Sequence, residues 1–235
     1  MYRKVAMLQP NYIPWKGVFD LIHRVDVFVF YDDVQYTKKD WRNRNKIPTA
    51  NGELWLTVPV LTKGKRIQRI CDVEIDEKIN WQEKHYKTLC LNYCKSPFFE
   101  QYRYLLEDFY IEHKWKNLSE MNIYMTKEIS KILGIKTEFI CASDLKCYGD
   151  KSGEKVIEIC KKLDCNYFIN GPSSKSFMNE QLFIDNNVVL EYMEYNYPQY
   201  HQQFFPFNHY VSILDLLFNE GKEASKYIWG EQDGE

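Results

Sequence analysis

The chain has 235 residues and carries 31 Lys plus Arg against 33 Asp plus Glu, a formal net charge of −2. That balance gives no global argument for nucleic acid or an anionic membrane surface as partner. Hydrophobic residues make up 45% of the chain, enough for a packed core and against disorder, and the length fits one large domain or two small ones.

Residues 5–8 are a short apolar run that ends at Gln9 and Pro10, and a loop containing Gly17 follows. Phe19, Leu21 and Ile22 suggest a short amphipathic helix, and residues 27–31, β-branched and aromatic, read as a buried strand. Strand, loop, helix, strand is the layout of a βαβ unit, whose loops at the carboxyl ends of the strands form a binding crevice. Both polar clusters of this region, one opening at Gln9 and one at Asp32, fall at such ends.

The chemistry there is mixed. Asp32 and Asp33 can hold a divalent cation or accept sugar hydroxyls. Arg42 and Arg44 are forked donors suited to phosphate or carboxylate, and Tyr12, Trp15, Tyr36 and Trp41 offer flat faces for a base or sugar ring. Gln9, Asn11, Gln35, Lys38 and Asn43 add amides and an ammonium. Taken singly, the aspartates read as loop caps and the arginines as a solvated face. Their density after one strand favours a site.

Further on, Asn51-Gly52 is a turn signal, and residues 54–61 read as a strand that Pro59 places at an edge or bulge. The basic run 63–69 is a solvated loop or a phosphate contact, and residues 70–75 read as another strand. Residues 80–133 look helical. Trp81, His85, Leu89 and Tyr93 fall on one stripe, Ser96-Pro97 signals a helix start, Asn117 with Glu120 forms a capping box, and Gly134 ends the last helix. Strands are expected over 137–141, 166–170 and 188–193, with helices over 153–163, opened by Ser152, and 213–218. Ser173, Ser174 and Lys175 follow Gly171 at a strand end. They can hold a phosphate through backbone N–H groups and one ammonium, or simply cap a helix, and no Walker spacing is present. The loop 195–203, with Tyr197 and Tyr200, either covers the site or packs.

No linker or repeat interrupts the chain. The expectation is a single α/β domain with a Rossmann-like, mostly parallel sheet and a helical insertion. Residues 1–75 and 134–235 supply the sheet parts and 80–133 the insertion. The seven cysteines are odd in number and lack a CxxC, so no metal site is expected and they read as reduced thiols. No signal peptide or membrane span is apparent, and the reading is cytoplasmic.

The segments QPNYIPWKGVFDLI, VFVFYDDVQYTKKDWRNRNKI, LTVPV, Trp81 with His85, NYPQY and SILDLLFNEG occur in this order over nearly the whole chain. Together they resemble the WbqC-like family. Members are found with genes for O-antigen, capsule and other surface-polysaccharide synthesis, so the resemblance implies a step in making or decorating an unusual sugar. Val18 stands where members usually show Tyr. The opening unit is also similar in layout to the HIGH-type nucleotidyltransferases and pantothenate synthetase. Trp15-Lys16-Gly17-Val18 stands in the HxGH place, with Gly17 alone matching, and Ser173 to Ser176 stand near the second phosphate signature. This similarity implies a Rossmann-like fold and a bound nucleotide rather than adenylation as such.

The expected function is therefore enzymatic: transfer of an acyl or aminoacyl group to the amine of a nucleotide-linked sugar. Asp32, Asp33 or His85 would be the general base, His85 being otherwise a packed core residue. Arg42, Arg44 and Lys175 would hold phosphates, and Gln9 and Asn11 hydroxyls or an amide. A nucleotidyltransferase or ATP-dependent ligase, and a non-catalytic sugar-nucleotide-binding module, are the alternatives. The residues name no cofactor, and assembly is open, a homodimer being one option.

Overall fold

The computed structural model describes residues 2–148 and 153–230. Its strands are β1 (Lys4–Leu8), β2 (Val27–Phe30), β3 (Arg44–Thr49), β4 (Gly52–Thr57), β5 (Glu138–Cys141), β6 (Tyr167–Asn170) and β7 (Val189–Tyr192). The main helices are α1 (Lys16–His23), α2 (Trp81–Tyr93), α3 (Phe99–Glu107), α4 (Leu118–Ile132), α5 (Ala142–Leu145), α6 (Glu154–Lys162), α7 (Glu180–Asp185), α8 (Ile213–Glu220) and α9 (Lys226–Trp229).

Five strands form one parallel sheet in the order β5-β2-β1-β6-β7. Side chains alternate across it with period two. Ala6, Phe28, Phe30 and Ile169 face one apolar core, and Val5, Met7, Val27, Val29 and Phe168 face another on the opposite side. A sheet covered on both faces needs continuous apolar strands, which is why VAML and VFVF were legible without a polar alternation. This is the expected Rossmann-like α/β architecture. The chain leaves β1 toward β2 on one side and comes back to β6 on the other. The carboxyl ends of β1 and β6 therefore flank a topological switch point, the usual ligand crevice of such sheets.

The helical insertion, α2 to α4, stands between β4 and β5. Trp81, His85, Leu89 and Tyr93 are the buried stripe of α2. Asn117 caps α4, its Oδ1 accepting the Glu120 N–H at 3.0 Å, and Gly134 follows the helix with φ +74°. Three expectations change. Residues 70–75 are not a strand: Ile70–Asp72 is one 3₁₀ turn, and Glu74 and Ile75 make only single bridges to Asn117 and Val60. Ser96 does not cap α3, which begins at Phe99; its hydroxyl instead donates to Gln203 Oε1. Arg44, read as part of the crevice cluster, instead opens β3, which is paired antiparallel with β4 through the Asn51-Gly52 turn. Asn45 and Ile47 turn inward from it while Arg44 and Lys46 lie half-buried on the other face. The expected Ser152 cap of α6 lies outside the described residues. Among the described residues no helix is long and apolar enough to cross a membrane.

Candidate functional site

A cavity of about 310 Å³ opens at the switch point. The loop after β1 lends it Asn11, Pro14 and Trp15, the first turn of α1 lends it Gly17, and the end of β6 with the turn after it lends it Asn170, Gly171 and Ser173. Leu8, Val18, Leu21, Trp41, Asn45, Tyr195 and Tyr210 complete the wall. The β1 loop is held from several sides. Asn45 Nδ2 donates to the Tyr12 and Ile13 carbonyls at 3.2 and 2.7 Å, and Asn122 Nδ2 donates to the Pro10 and Arg42 carbonyls at 3.1 and 2.7 Å. Ile13 sits at φ +35°, a strained angle for a β-branched residue that this clamp stabilises. Trp15 precedes α1, and its ring lies against the first helical turn at Gly17. A Cβ on Gly17 would stand 2.3 Å from the indole, so glycine is what lets the ring lie there. Trp15 meets Tyr195 and Tyr210 at centroid distances of 5.0 and 5.1 Å. The lining is thus largely apolar, with an aromatic cluster beside Leu8, Val18 and Leu21, and Asn11, Asn45, Asn170 and Ser173 add its polar groups.

Behind Trp15 the segment 194–211 is strapped to the body of the protein. Tyr197 donates its hydroxyl to buried Asp20 at 2.7 Å, and Asp20 also takes Arg24 at 2.7 Å, one helical turn on. Lys16 is 2% exposed. Its Nζ lies 5.1 Å from both the Tyr197 and Tyr200 ring centres and donates to the Pro198 carbonyl at 3.2 Å. Burial lowers the Lys16 ammonium to about 8. Tyr200 and Gln202 donate to Asp215 Oδ2 at 2.7 and 2.9 Å, and Tyr93 donates to Oδ1 at 2.9 Å. Burial raises the Asp215 carboxyl to about 6 in spite of these donors.

The family model described as the WbqC-like protein family matches residues 9–227. The chain belongs to the WbqC-like protein family. An uncharacterized protein of Mycobacterium tuberculosis is 40% identical over 227 residues, covering 96% of this chain and 97% of its own length. No solved structure matches significantly. Membership suggests a role in polysaccharide biosynthesis.

In this WbqC-like protein the expected site residues separate into groups. Asn11, Trp15, Gly17, Trp41 and Ser173 come together around the cavity. Gln9 is half-buried at the end of β1, outside the lining. Asp32 is taken up by the fold, because its two oxygens accept the Ser143 N–H and hydroxyl at 2.9 and 2.8 Å and so hold the start of α5. Asp33 pairs with Lys155 at 2.6 Å, and that ammonium also lies 4.8 Å from the Tyr31 ring centre. His85 is buried in α2, with Nδ1 2.8 Å from the Tyr12 hydroxyl, which in turn bonds Tyr110 at 2.6 Å. None of the three candidate bases lines the cavity. Tyr36 is buried beside Arg42 and Arg44, and Gln35 reaches the Arg66 carbonyl. Lys38 is exposed, Arg42 pairs with Asp40, and Asn43 Nδ2 donates to the Val58 carbonyl. Arg44 stacks on Trp55. Ser174 closes its own turn onto the Gly171 carbonyl, and Lys175 is exposed over the Tyr192 ring at 5.8 Å. Tyr197 and Tyr200 form the strap rather than the lining. Asn45, Asn170, Tyr210 and the buried Lys16 escaped sequence reasoning. Only the alternation Asn45, Ile47 could have marked Asn45 as inward-facing.

His85 and Asp215 titrate in opposing senses. Burial lowers His85 from 6.5 to about 4, so the unfolded chain binds the extra proton between those values and stability is lost as pH falls through them. At about 1.4 kcal/mol per pKa unit the full effect is roughly 3 kcal/mol. Asp215, raised from 3.8 to about 6, works the other way: the folded chain binds the extra proton, and stability rises as pH falls through 6. The two terms offset between pH 4 and 6. Asp215→Asn therefore uncovers the histidine limb, and its urea midpoint is expected to fall steeply from pH 6.5 to 4 while the wild type changes little. A variant as flat as the wild type would mean that His85 is not desolvated.

Proposed function

We propose that this WbqC-like protein is a cytoplasmic enzyme acting on a nucleotide-linked amino sugar, adding an acyl or aminoacyl group to the sugar amine. The observation that carries the reading is the cavity at the switch point. An indole and two phenol rings cluster in its lining, and Asn11, Asn170 and Ser173 supply donors and acceptors, Asn45 being taken up by the Tyr12 and Ile13 carbonyls and the Lys46 N–H. A sugar ring matches such a site, with apolar C–H faces and a rim of hydroxyls. In the transfer, the neutral sugar amine attacks the carbonyl carbon of an activated acyl donor. An N–C bond forms, the bond to the donor's leaving group breaks, and the amine proton leaves for solvent or for the leaving group. No carboxylate or imidazole lines the cavity among the described residues. The residues therefore bind and orient the amine, while the activated donor supplies the driving force.

The α1 start beside the cavity, with Gly17 in its first turn, supports a second reading, a nucleotidyltransferase or ATP-dependent ligase. Thermal-shift titration separates the two. A UDP- or dTDP-linked amino sugar at a hundred times its Kd is expected to stabilise the folded chain by about 2.7 kcal/mol. Incubation with acyl donors should then give an N-acylated product by mass spectrometry. Stabilisation by ATP and Mg²⁺ alone would favour the second reading, and binding without product across the donors would leave a binding module.

A further inference from the structure

Outside the cavity mouth the same loop and hairpin build a second feature. Trp41, which lines the cavity, meets Trp55 of β4 at 5.4 Å between ring centres, and the Arg44 guanidinium lies 4.4 Å from the Trp55 ring centre. Both indoles stay exposed, at 40% and 41%. The neighbouring cations are neutralised, Arg42 by Asp40 and Lys46 by Glu53. Arg44 has no carboxylate within ion-pair reach among the described residues, and its buried Nε lacks a hydrogen-bond partner. The arginines and Asp40 thus leave a net single positive charge beside neutral Tyr36, whose hydroxyl burial raises to about 12.

A half-buried guanidinium stacked on an indole has its fork oriented and its rotamers restricted before any ligand arrives. An ordinary structural arginine in such a place carries a carboxylate. One without it has its charge-assisted donors free for an incoming anion. We infer that the Arg44–Trp55–Trp41 ladder is an anion subsite that takes the diphosphate of a nucleotide-linked ligand, with the sugar lying in the cavity and the nucleoside out over the indoles. This orientation rests on the function proposed above, whereas the anion subsite does not. It places the phosphates on the hairpin, and not on the Ser173–Lys175 loop, where Ser174 is already bonded to its own turn and Lys175 stands over Tyr192.

Two titrations followed by tryptophan fluorescence test it. Inorganic pyrophosphate is expected to change the emission of the wild type, with an affinity that falls as salt is raised. Arg44→Ala should weaken that binding by about tenfold or more, and Arg44→Lys, which keeps the charge and loses the fork, should fall between them. UDP should follow the same order, while uridine and N-acetylglucosamine should bind Arg44→Ala and wild type alike. Pyrophosphate affinity unchanged in both Arg44 variants, or lost in Lys175→Ala instead, overturns the inference. If pyrophosphate binds through Arg44 while no sugar nucleotide stabilises the protein, the subsite stands and the proposed function falls. If sugar nucleotides bind Arg44→Ala as well as wild type, the function stands and the subsite falls.

Discussion

Gly17→Ala is expected to destabilise the protein by about 1–3 kcal/mol and to abolish binding in the cavity. Two effects compete. Alanine is the better helix former, by about 1 kcal/mol in a helix interior and less in a first turn. Against that, the added methyl would stand 2.3, 2.5 and 2.7 Å from three carbons of the Trp15 indole. The indole has little room to retreat, since Tyr195, Tyr197 and Tyr210 pack around it. The clash outweighs the propensity, and relief requires Trp15 to rotate out of the wall it forms. Urea unfolding and ligand-induced thermal shift read the two consequences separately. A double variant, Trp15→Leu with Gly17→Ala, removes the ring that clashes and should recover part of the stability without recovering the ligand. Gly17→Ala as stable as the wild type, with ligand binding intact, would show that Trp15 has slack and that the aromatic wall is not a fixed surface.

The same residues show how far the sequence could be read. The βαβ opening was plain because a parallel strand buried on both faces must be apolar throughout, as Val5 to Leu8 and Val27 to Phe30 are. The α2 stripe was plain because its four buried residues are one turn apart. Proximity between distant residues was much less legible. Asp32 looks like a catalytic carboxylate beside Asp33, but its oxygens are claimed by Ser143, 111 positions away, a partner no local pattern announces. The strand Arg44–Thr49 was hidden because its inward face opens on an amide, Asn45, before Ile47, its other face carries Arg44 and Lys46, and it contains Pro48. Nothing local to Lys16 marks it as buried, because the strap that covers it comes from residues 194–211. The two loops that meet at the cavity were each marked by their glycines, amides and hydroxyls. Which side chains turn inward is a property of the assembled fold.

The strap makes the second large effect. Asp215→Ala is expected to lower stability at pH 7 by about 2–4 kcal/mol, because it leaves buried donors without an acceptor and vacates buried volume. The carboxylate is fully buried and joins three elements: Tyr93 from α2, Tyr200 and Gln202 from the strap, and α8 on which it sits. Its own burial is unfavourable, since a carboxyl raised from 3.8 to about 6 carries a charge penalty near 3 kcal/mol at pH 7. Alanine removes that penalty, and it also strands the Tyr93 and Tyr200 phenols, each costing about 1–3 kcal/mol when buried without a partner, while the Gln202 amide keeps the Asn208 carbonyl. At about 2 kcal/mol each the two phenols outweigh the penalty, and the vacated volume adds to the loss. Asp215→Asn keeps an acceptor oxygen and sheds the charge, so it should lose about 1 kcal/mol or less. The strap carries Tyr195 and Tyr210 to the cavity, so Asp215→Ala should also weaken sugar-nucleotide binding while Asp215→Asn preserves it. Equal stability losses in the two variants would mean that the negative charge itself, and not the shared acceptor, holds the strap. A loss under about 1 kcal/mol in Asp215→Ala would mean that the Lys16 and Asp20 contacts hold it alone.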